Sequence, residues 1–424
     1  MSIFTKKKIS DFIIYGFGQA INLASPLLVM PILIYYCGEA GLGKVGVGFS
    51  IALILNGIVD YGSYINGVKE ISINRDNKVI LEEKIKAIYL SKFFLLIAVL
   101  FVISVLIFLI PFLNKDKTLL FFSLSIVVGQ FINPAWYFQG IENFKWISFT
   151  NIFSKIIYIV LILIFIKSKG DYIYANLFIG IGAISANTIG LIWLIKQNKF
   201  NLKKLDTKPA FLILKDEFSF SLSQFFLSLY QFFPIVLISY IAGDYIAGQY
   251  RIIDQVITIF KTYLNMIFYF VYSNICYELS KNYKNGLKVW KQYNGYNFIL
   301  LFIIITVFYF NAEMIMGFFK VEQSQLLIMS GYFKIALLIP LLVGISQPLR
   351  QLMFAFNKNK IYILITIVST ILNLILLVLL TNQFKLQGAF YSIIIIEVII
   401  IALYAIILNK KSESDIKIHE SSFT

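Results

Sequence analysis

The stretch NPAWYFQGIENFKW, Asn133 to Trp146, marks the point where an apolar run turns polar. Two Trp, a Tyr, two Phe, a Pro and a Gly surround Gln139, Glu142 and Lys145. Tyr and Trp gather where a spanning segment meets the membrane surface, and that alone accounts for Trp136, Tyr137 and Trp146 one at a time. It does not account for the order Pro-x-Trp-x-Phe-Gln-Gly-x-Glu.

The rest of the chain has the composition that a membrane segment requires. Of 424 residues, 59% are hydrophobic and 14% charged, and mean hydropathy is +0.81. Soluble domains hold about 45–50% apolar and about 25% charged residues. A water-soluble fold has nowhere to bury this excess, so lipid is the expected solvent. A spanning helix needs ~20 apolar residues. Twelve segments qualify, at about 12–36, 43–66, 90–113, 118–138, 150–167, 174–195, 217–241, 251–276, 294–312, 326–349, 361–381 and 388–408. The connections at 67–89 and 196–216 are the longest, and both are loop-sized. The opening MSIFTKKKIS leads into an apolar segment with no small-residue cleavage site, so it does not read as a cleavable signal.

The net charge of +15 would suggest nucleic acid in a soluble protein. Here it follows from topology. With the N-terminus in the cytoplasm, 25 Lys and Arg fall in cytoplasmic connections and seven on the opposite side. Positive residues are retained inside, so both termini are expected in the cytoplasm, and no nucleic-acid partner is implied. Cys37 and Cys276 fall on opposite sides and should not pair. His419 is the single histidine. Without a Cys/His cluster no zinc site is expected. GEAGLGKVG lacks the phosphate-loop spacing, and nothing else reads as an enzyme site.

The chain repeats itself. GEAGLG (Gly38 to Gly43) and GDYIAG (Gly243 to Gly248) share Gly-acid-x-x-x-Gly at an offset of 205 residues, and Gln19 and Gln224 keep that offset. Asn133-Pro134 and Gln347-Pro348 are 214 apart, as are Asn143 and Asn357, and Ala175 and Ala389. Six spans per repeat leave both halves in one orientation, as in parallel-repeat transporters. The expected domains are residues 1–210, a six-helix bundle with its cytoplasmic linker, and 211–424, a second bundle with a short tail.

Ionisable groups at membrane depth face a bundle interior or a wet cavity. Arg251, Asp254, Thr258, Lys261 and Asn265 step by three and four along one helical face. A local Arg251–Asp254 pair would leave Lys261 in need of an anion. Lys334 and Lys155 are further candidate cavity cations, each able to snorkel to an interface. Lys92 reads as an interfacial, structural residue. Asp60 and Glu397 could pair with internal cations, or serve a coupling ion or proton. Glu397, in IIIIEVIII, must find its partner on another helix. Gln19, Asn22, Pro26 and Pro31 in the first segment, and Gln224, Ser228 and Pro234 in the seventh, place polar and helix-bending residues at matching points.

Pro134, Trp136, Phe138, Gln139, Gly140 and Glu142 resemble the signature that ends the fourth span of bacterial polysaccharide flippases. These are the O-antigen repeat-unit translocases of the multidrug/oligosaccharidyl-lipid/polysaccharide exporter superfamily. SPLLVMPILIYYCGEAGLGKVGVGFS, DYGSYINGVKEIS and QGAFYSIIIIEV resemble further parts of that family, although an Arg is commoner where Lys69 stands. The resemblance implies an all-α membrane protein of about twelve spans in two six-helix bundles, as in the multidrug and toxic-compound extrusion fold. It implies a flippase that carries undecaprenyl-pyrophosphate-linked oligosaccharide from the inner to the outer leaflet of the bacterial inner membrane. The cations would meet the pyrophosphate, and the lipid tail would stay in the bilayer. No cofactor is implied, and coupling to a proton or sodium gradient stays open. Polysaccharide polymerase and chain-length proteins are the implied partners. A multidrug/cation antiporter of the same fold is the rival, and it would favour acids over the cations Arg251, Lys261 and Lys334. A transport-free membrane scaffold is the third reading, and the polar stripe at 251–265 argues against it.

Overall fold

In lipid every backbone amide must be satisfied within the chain, which leaves helices or closed barrels. The computed structural model describes residues 6–200 and 206–421, except for the side chains of 6–15, 19, 65, 219, 220, 223, 273, 280 and 410–421. The described residues are almost all helical. The contacts divide the chain into two compact units, Met1–Gly248 and Gln249–Thr424.

The first unit opens with α1 (Lys6–Asp60), α2 (Val68–Asn74), α3 (Lys78–Leu109), α4 (Pro111–Asn114) and α5 (Lys117–Ile132). It continues with α6 (Ala135–Gly140), α7 (Phe144–Phe165), α8 (Tyr172–Asn198), α9 (Lys208–Asp216) and α10 (Phe218–Ala242). Helix α11 (Asp244–Lys281) starts in this unit and runs on into the second. There α12 (Tyr283–Phe310), α13 (Ala312–Phe318), α14 (Leu326–Ala336), α15 (Leu338–Ala355) and α16 (Asn359–Ser421) follow.

Among the described residues ten helices are long and apolar enough to span a membrane, and they carry the twelve apolar segments. Helices α1 and α16 each hold two segments, with one non-helical residue inside, Gly38 and Lys385 respectively. The connection expected as a loop at 67–89 is largely helical instead, formed by a π turn at Ser63–Gly67, α2 and the start of α3. Asn77 caps α3, its side chain accepting from the Val79 and Ile80 amides, and Lys86 reaches back one turn to Glu82 at 2.6 Å. Both features favour helix although the segment is polar.

Apolar residues point both ways, as expected where lipid is the solvent. On α3, Leu96, Val99, Ile103 and Ile107 join a core with Ala52, Val59, Leu120 and Val127, while Phe101, Phe108 and Leu109 stay exposed. The Asn133–Trp146 stretch makes the other core of this unit. Trp136, Tyr137 and Phe138 are buried with Ile71, Ile85 and Leu194, so Trp136 and Tyr137 are core residues and not members of an interfacial belt. Phe138 stacks on Trp146 and packs near Trp193, and the two Trp rings are 5.0 Å apart. Gly140 closes the motif because a Cβ there would press on Ile71, 2.6 Å from its Cγ2.

The repeat is visible in the backbone. Gly38 (φ 74, ψ 172) and Gly243 (φ 89, ψ 166) share one conformation, in a region open essentially to glycine alone. The motifs that follow them touch reciprocally within the first unit. A side chain on Gly43 would collide with the Asp244 carbonyl, and one on Gly248 with the Glu39 carbonyl. Because 39 corresponds to 244 and 43 to 248, this is one contact made twice. Asn77 and Asn282, again 205 apart, are both N-caps whose side chains accept a backbone amide.

Gly43→Ala is expected to lower the thermal stability of the detergent-purified protein by the ~1–3 kcal/mol of an overpacked contact. Gly295, with nothing within 4 Å of its added Cβ, should accept Ala without loss. Equal melting temperatures for wild type and Gly43→Ala would show that the motifs are not in close contact.

Candidate functional site

Polar clusters sit at three places, two in the first unit and one in the second. The first lies where the two glycine motifs meet. Lys44 pairs with Asp116 at 2.9 Å and reaches Asp244 at 4.0 Å, and Lys115 reaches Asp244 at 3.7 Å. Tyr172 donates to Asp116 at 3.0 Å, and Ser239 to Asp244 at 2.6 Å. Lys44, Lys115, Asp116, Ser239 and Asp244, with Phe112 and Tyr240, line a cavity of about 260 Å³. In the sequence Lys44 and Lys115 stand only at the edges of apolar segments. Their acid partners lie far along the chain, so nothing local betrays the cluster.

The second cluster is deep in the first unit. Lys92 is 1% exposed and its Nζ is 3.2 Å from Asp60. It also donates to the Gln130 carbonyl at 3.4 Å. Gln130 donates to the second Asp60 oxygen at 2.8 Å, and Asn133 donates to the Tyr64 hydroxyl at 2.8 Å. The network ties α1, α3 and α5 to the start of the aromatic motif. Asp60 thus does take an internal cation. That cation is Lys92, which is buried and not interfacial. Lys92 looked peripheral because it lies near the start of its apolar segment, but α3 begins fourteen residues earlier and carries it inward.

The third cluster is in the second unit. Gln347 donates to Asn265 Oδ1 at 2.8 Å. Arg350 Nη2 donates to Gln347 Oε1 at 2.8 Å and to Asn265 Oδ1 at 3.4 Å. The guanidinium carbon lies 4.6 Å from the centre of the Phe268 ring. One turn on, Gln351 donates to the Phe268 carbonyl at 3.2 Å and accepts from Asn294 at 3.0 Å, which joins α11, α12 and α15. The sequence reading assigned Arg350 to a loop. It stands inside α15, which runs on past the polar step to Ala355.

The remaining candidates fall as follows. Arg251 and Asp254 form the local pair at 3.7 Å. Lys261, one turn before Asn265 on α11, is half-buried and makes no ion pair among the described residues. Lys155 on α7 is likewise half-buried without an ion pair. Lys334 lies 5.3 Å from the centre of the Tyr309 ring. Glu397 is buried and accepts from Ser346 on α15 at 2.9 Å, a partner on another helix as its isolation required. Asn22 and Gln224 lend backbone carbonyls to Ser25 and Ser228, and the Gln19 side chain lies outside the described residues. Within the motif Gln139 is exposed, and Glu142 (φ 57) faces Arg75 at 3.7 Å. Both cysteines are free. Among the described residues no group of His, Cys, Asp and Glu is arranged to hold a metal.

A family model described as "Polysaccharide biosynthesis protein" matches residues 9–272, more than half of the chain. The chain belongs to this family. It is similar to a curated protein of Escherichia coli (strain K12) described as "Putative O-antigen transporter", 24% identical over 91% of this chain and 92% of that one. A Shigella dysenteriae protein with the same description is 24% identical over 92% of this chain and 96% of its own length. Among solved structures, lipid II flippase MurJ in an inward-closed conformation aligns with a TM-score of 0.71 at 14% identity, covering 94% of this chain and 87% of that one. An inward-facing multidrug resistance transporter of the MATE family aligns at 0.66 and 12% identity, covering 93% and 96%. The family member described here is thus a multi-pass, all-helical membrane protein with the fold of that superfamily. Its named relatives are transporters or flippases, not catalytic enzymes.

The buried pair in the first unit makes a quantitative prediction. Removing one partner of a buried ion pair costs about 3–5 kcal/mol, whereas replacing both with apolar groups is often neutral. Asp60→Ala should therefore sharply lower the melting temperature in detergent, and Asp60→Leu with Lys92→Met should recover most of it. Additive losses in the double variant would show that the two charges do not interact.

Proposed function

We propose that this protein is a flippase for undecaprenyl-pyrophosphate-linked oligosaccharide, moving repeat units of O-antigen or another surface polysaccharide from the inner to the outer leaflet of the bacterial inner membrane. The family match and the O-antigen transporter relatives, aligned over nine-tenths of the chain, support the substrate class. The observation that carries the charge of the substrate is on the spanning helices. Lys155, Lys261, Lys334 and Arg350 stand on α7, α11, α14 and α15 with no carboxylate partner among the described residues. A cation at membrane depth without a counter-ion is costly, and a passing diphosphate supplies the missing charge through charge-assisted hydrogen bonds. A cavity for cationic drugs would need the opposite balance.

In this reading the cycle is alternating access. The sugar diphosphate crosses among polar and cationic groups while the lipid tail stays in the bilayer. The excess of Lys and Arg on one set of connections supports two cytoplasmic termini. Glu397 is the candidate for ion coupling, since Asp60 is held by Lys92, and Asp254, Asn22 and Gln224 are the polar groups assigned to the path. Polymerase and chain-length proteins would take the product on the outer face.

In a host lacking the gene, undecaprenyl-linked repeat units should accumulate on the inner leaflet and surface polysaccharide should disappear. The intact gene should restore both, and Lys261→Ala, at equal protein level in the membrane, should lower the flux about tenfold, as expected for one lost charge-assisted contact. Normal surface polysaccharide with altered sensitivity to cationic dyes would replace this reading with a drug antiporter.

A further inference from the structure

The two halves can be compared network by network. At the offset of 205 residues, Asp60 corresponds to Asn265, Tyr64 to Tyr269 and Lys92 to Asn297. The caps Asn77 and Asn282 fix that register between α3 and α12. At the offset of 214, Asn133 corresponds to Gln347 and Trp136 to Arg350. Each unit joins the corresponding positions. Asp60, Gln130 and Asn133 are linked in the first through hydrogen bonds and Tyr64, and Asn265 and Gln347 directly in the second.

The charges differ. In the first unit the Lys92 cation has its anion, Asp60, in the same network, and the place of Arg350 is taken by the buried, neutral Trp136. In the second unit both members of that pair are asparagines, and Asn297 accepts from Tyr263 at 2.6 Å. A cation is nevertheless present. Among the described residues, Arg350 uses only Nη2 for hydrogen bonds, both to neutral amides. Its Nε is buried and has no hydrogen-bond partner among the described residues. The acid on the neighbouring helix, Glu397, is engaged by Ser346. A guanidinium presents five donors in a fork that fits phosphate oxygens, and an unmet buried donor is costly. Lys261 adds a second cation one turn from Asn265 on the same face of α11.

We propose that Arg350, steadied by Gln347, Asn265 and Phe268, is a phosphate-binding subsite of the second unit, and that it takes the diphosphate of the lipid-linked sugar, an assignment that rests on the flippase reading. Asn265 is the residue that leaves the guanidinium available. Aspartate at that position would rebuild the internal neutralisation found in the first unit.

The test uses the full-length protein in phosphatidylcholine nanodiscs, with farnesyl pyrophosphate as the probe and calorimetry as the readout. Arg350→Gln should weaken binding about tenfold or more, the worth of one charge-assisted contact. Asn265→Asp should weaken it to a similar extent while leaving the melting temperature equal or higher, because its carboxylate now occupies Arg350. Undiminished binding by both variants overturns the proposal. So does a loss confined to Arg350→Gln and accompanied by a lower melting temperature. Nanodiscs containing phosphatidylglycerol separate the two sources of phosphate. If that lipid abolishes farnesyl pyrophosphate binding to the wild type and not to Arg350→Gln, the subsite belongs to a membrane lipid headgroup and the diphosphate assignment falls. If deletion of the gene leaves repeat-unit flipping intact while binding still depends on Arg350 and Asn265, the flippase reading fails and the diphosphate subsite stands.

Discussion

A charge or an open amide in hydrocarbon has no water to turn to, and this chain is organised around that constraint. Its backbone answers with helix. Where helix stops inside a long element, the reason is local. Gly38 takes a conformation that only glycine tolerates. Lys385 (φ 50) interrupts α16, where Gly388 lies against the Leu380 carbonyl with no room for a side chain. The side chains answer with pairs. Lys92 is almost wholly buried and would be untenable alone, and Asp60 makes it part of the scaffold that holds α1, α3 and α5 together.

The same constraint distinguishes structural charge from functional charge. A buried ion pair contributes little net stability, yet loss of one partner is severe, so a satisfied pair such as Asp60–Lys92 reads as architecture. A cation whose partners are neutral amides reads differently, because the fold has not neutralised it. Arg350 is of that second kind, and Lys261, also in the second unit, makes no ion pair among the described residues. The repeat makes the contrast sharper, since corresponding positions answer one physical problem in two ways.

The aromatic motif links the two themes. Asn133 joins the polar network through Tyr64, and its own side chain accepts the Ala135 amide at 2.9 Å. Three residues on, Trp136 and Phe138 are sealed in the core with Ile71 and Leu194. The motif is therefore a hinge point between buried polar and buried apolar packing, which explains why its residue order is so particular and why a surface belt does not describe it.

The membrane class, the helical fold, the positions of the spans, the repeat and the family resemblance were all legible in the amino-acid sequence. Apolar periodicity, span length and the glycine-acid motifs are properties of the chain's own order. Partnership was not legible. Lys92 looked interfacial and Arg350 looked like a loop residue, because helix ends run beyond the apolar stretch that reveals them. The Arg251–Asp254 pair lies three residues apart and could be read directly. Asp60 with Lys92, Glu397 with Ser346 and Arg350 with Asn265 join positions 32 to 85 residues apart. Only the packing of one helix on another brings such groups within hydrogen-bonding distance. That packing decided which charges the fold neutralises and which it leaves without a carboxylate partner among the described residues.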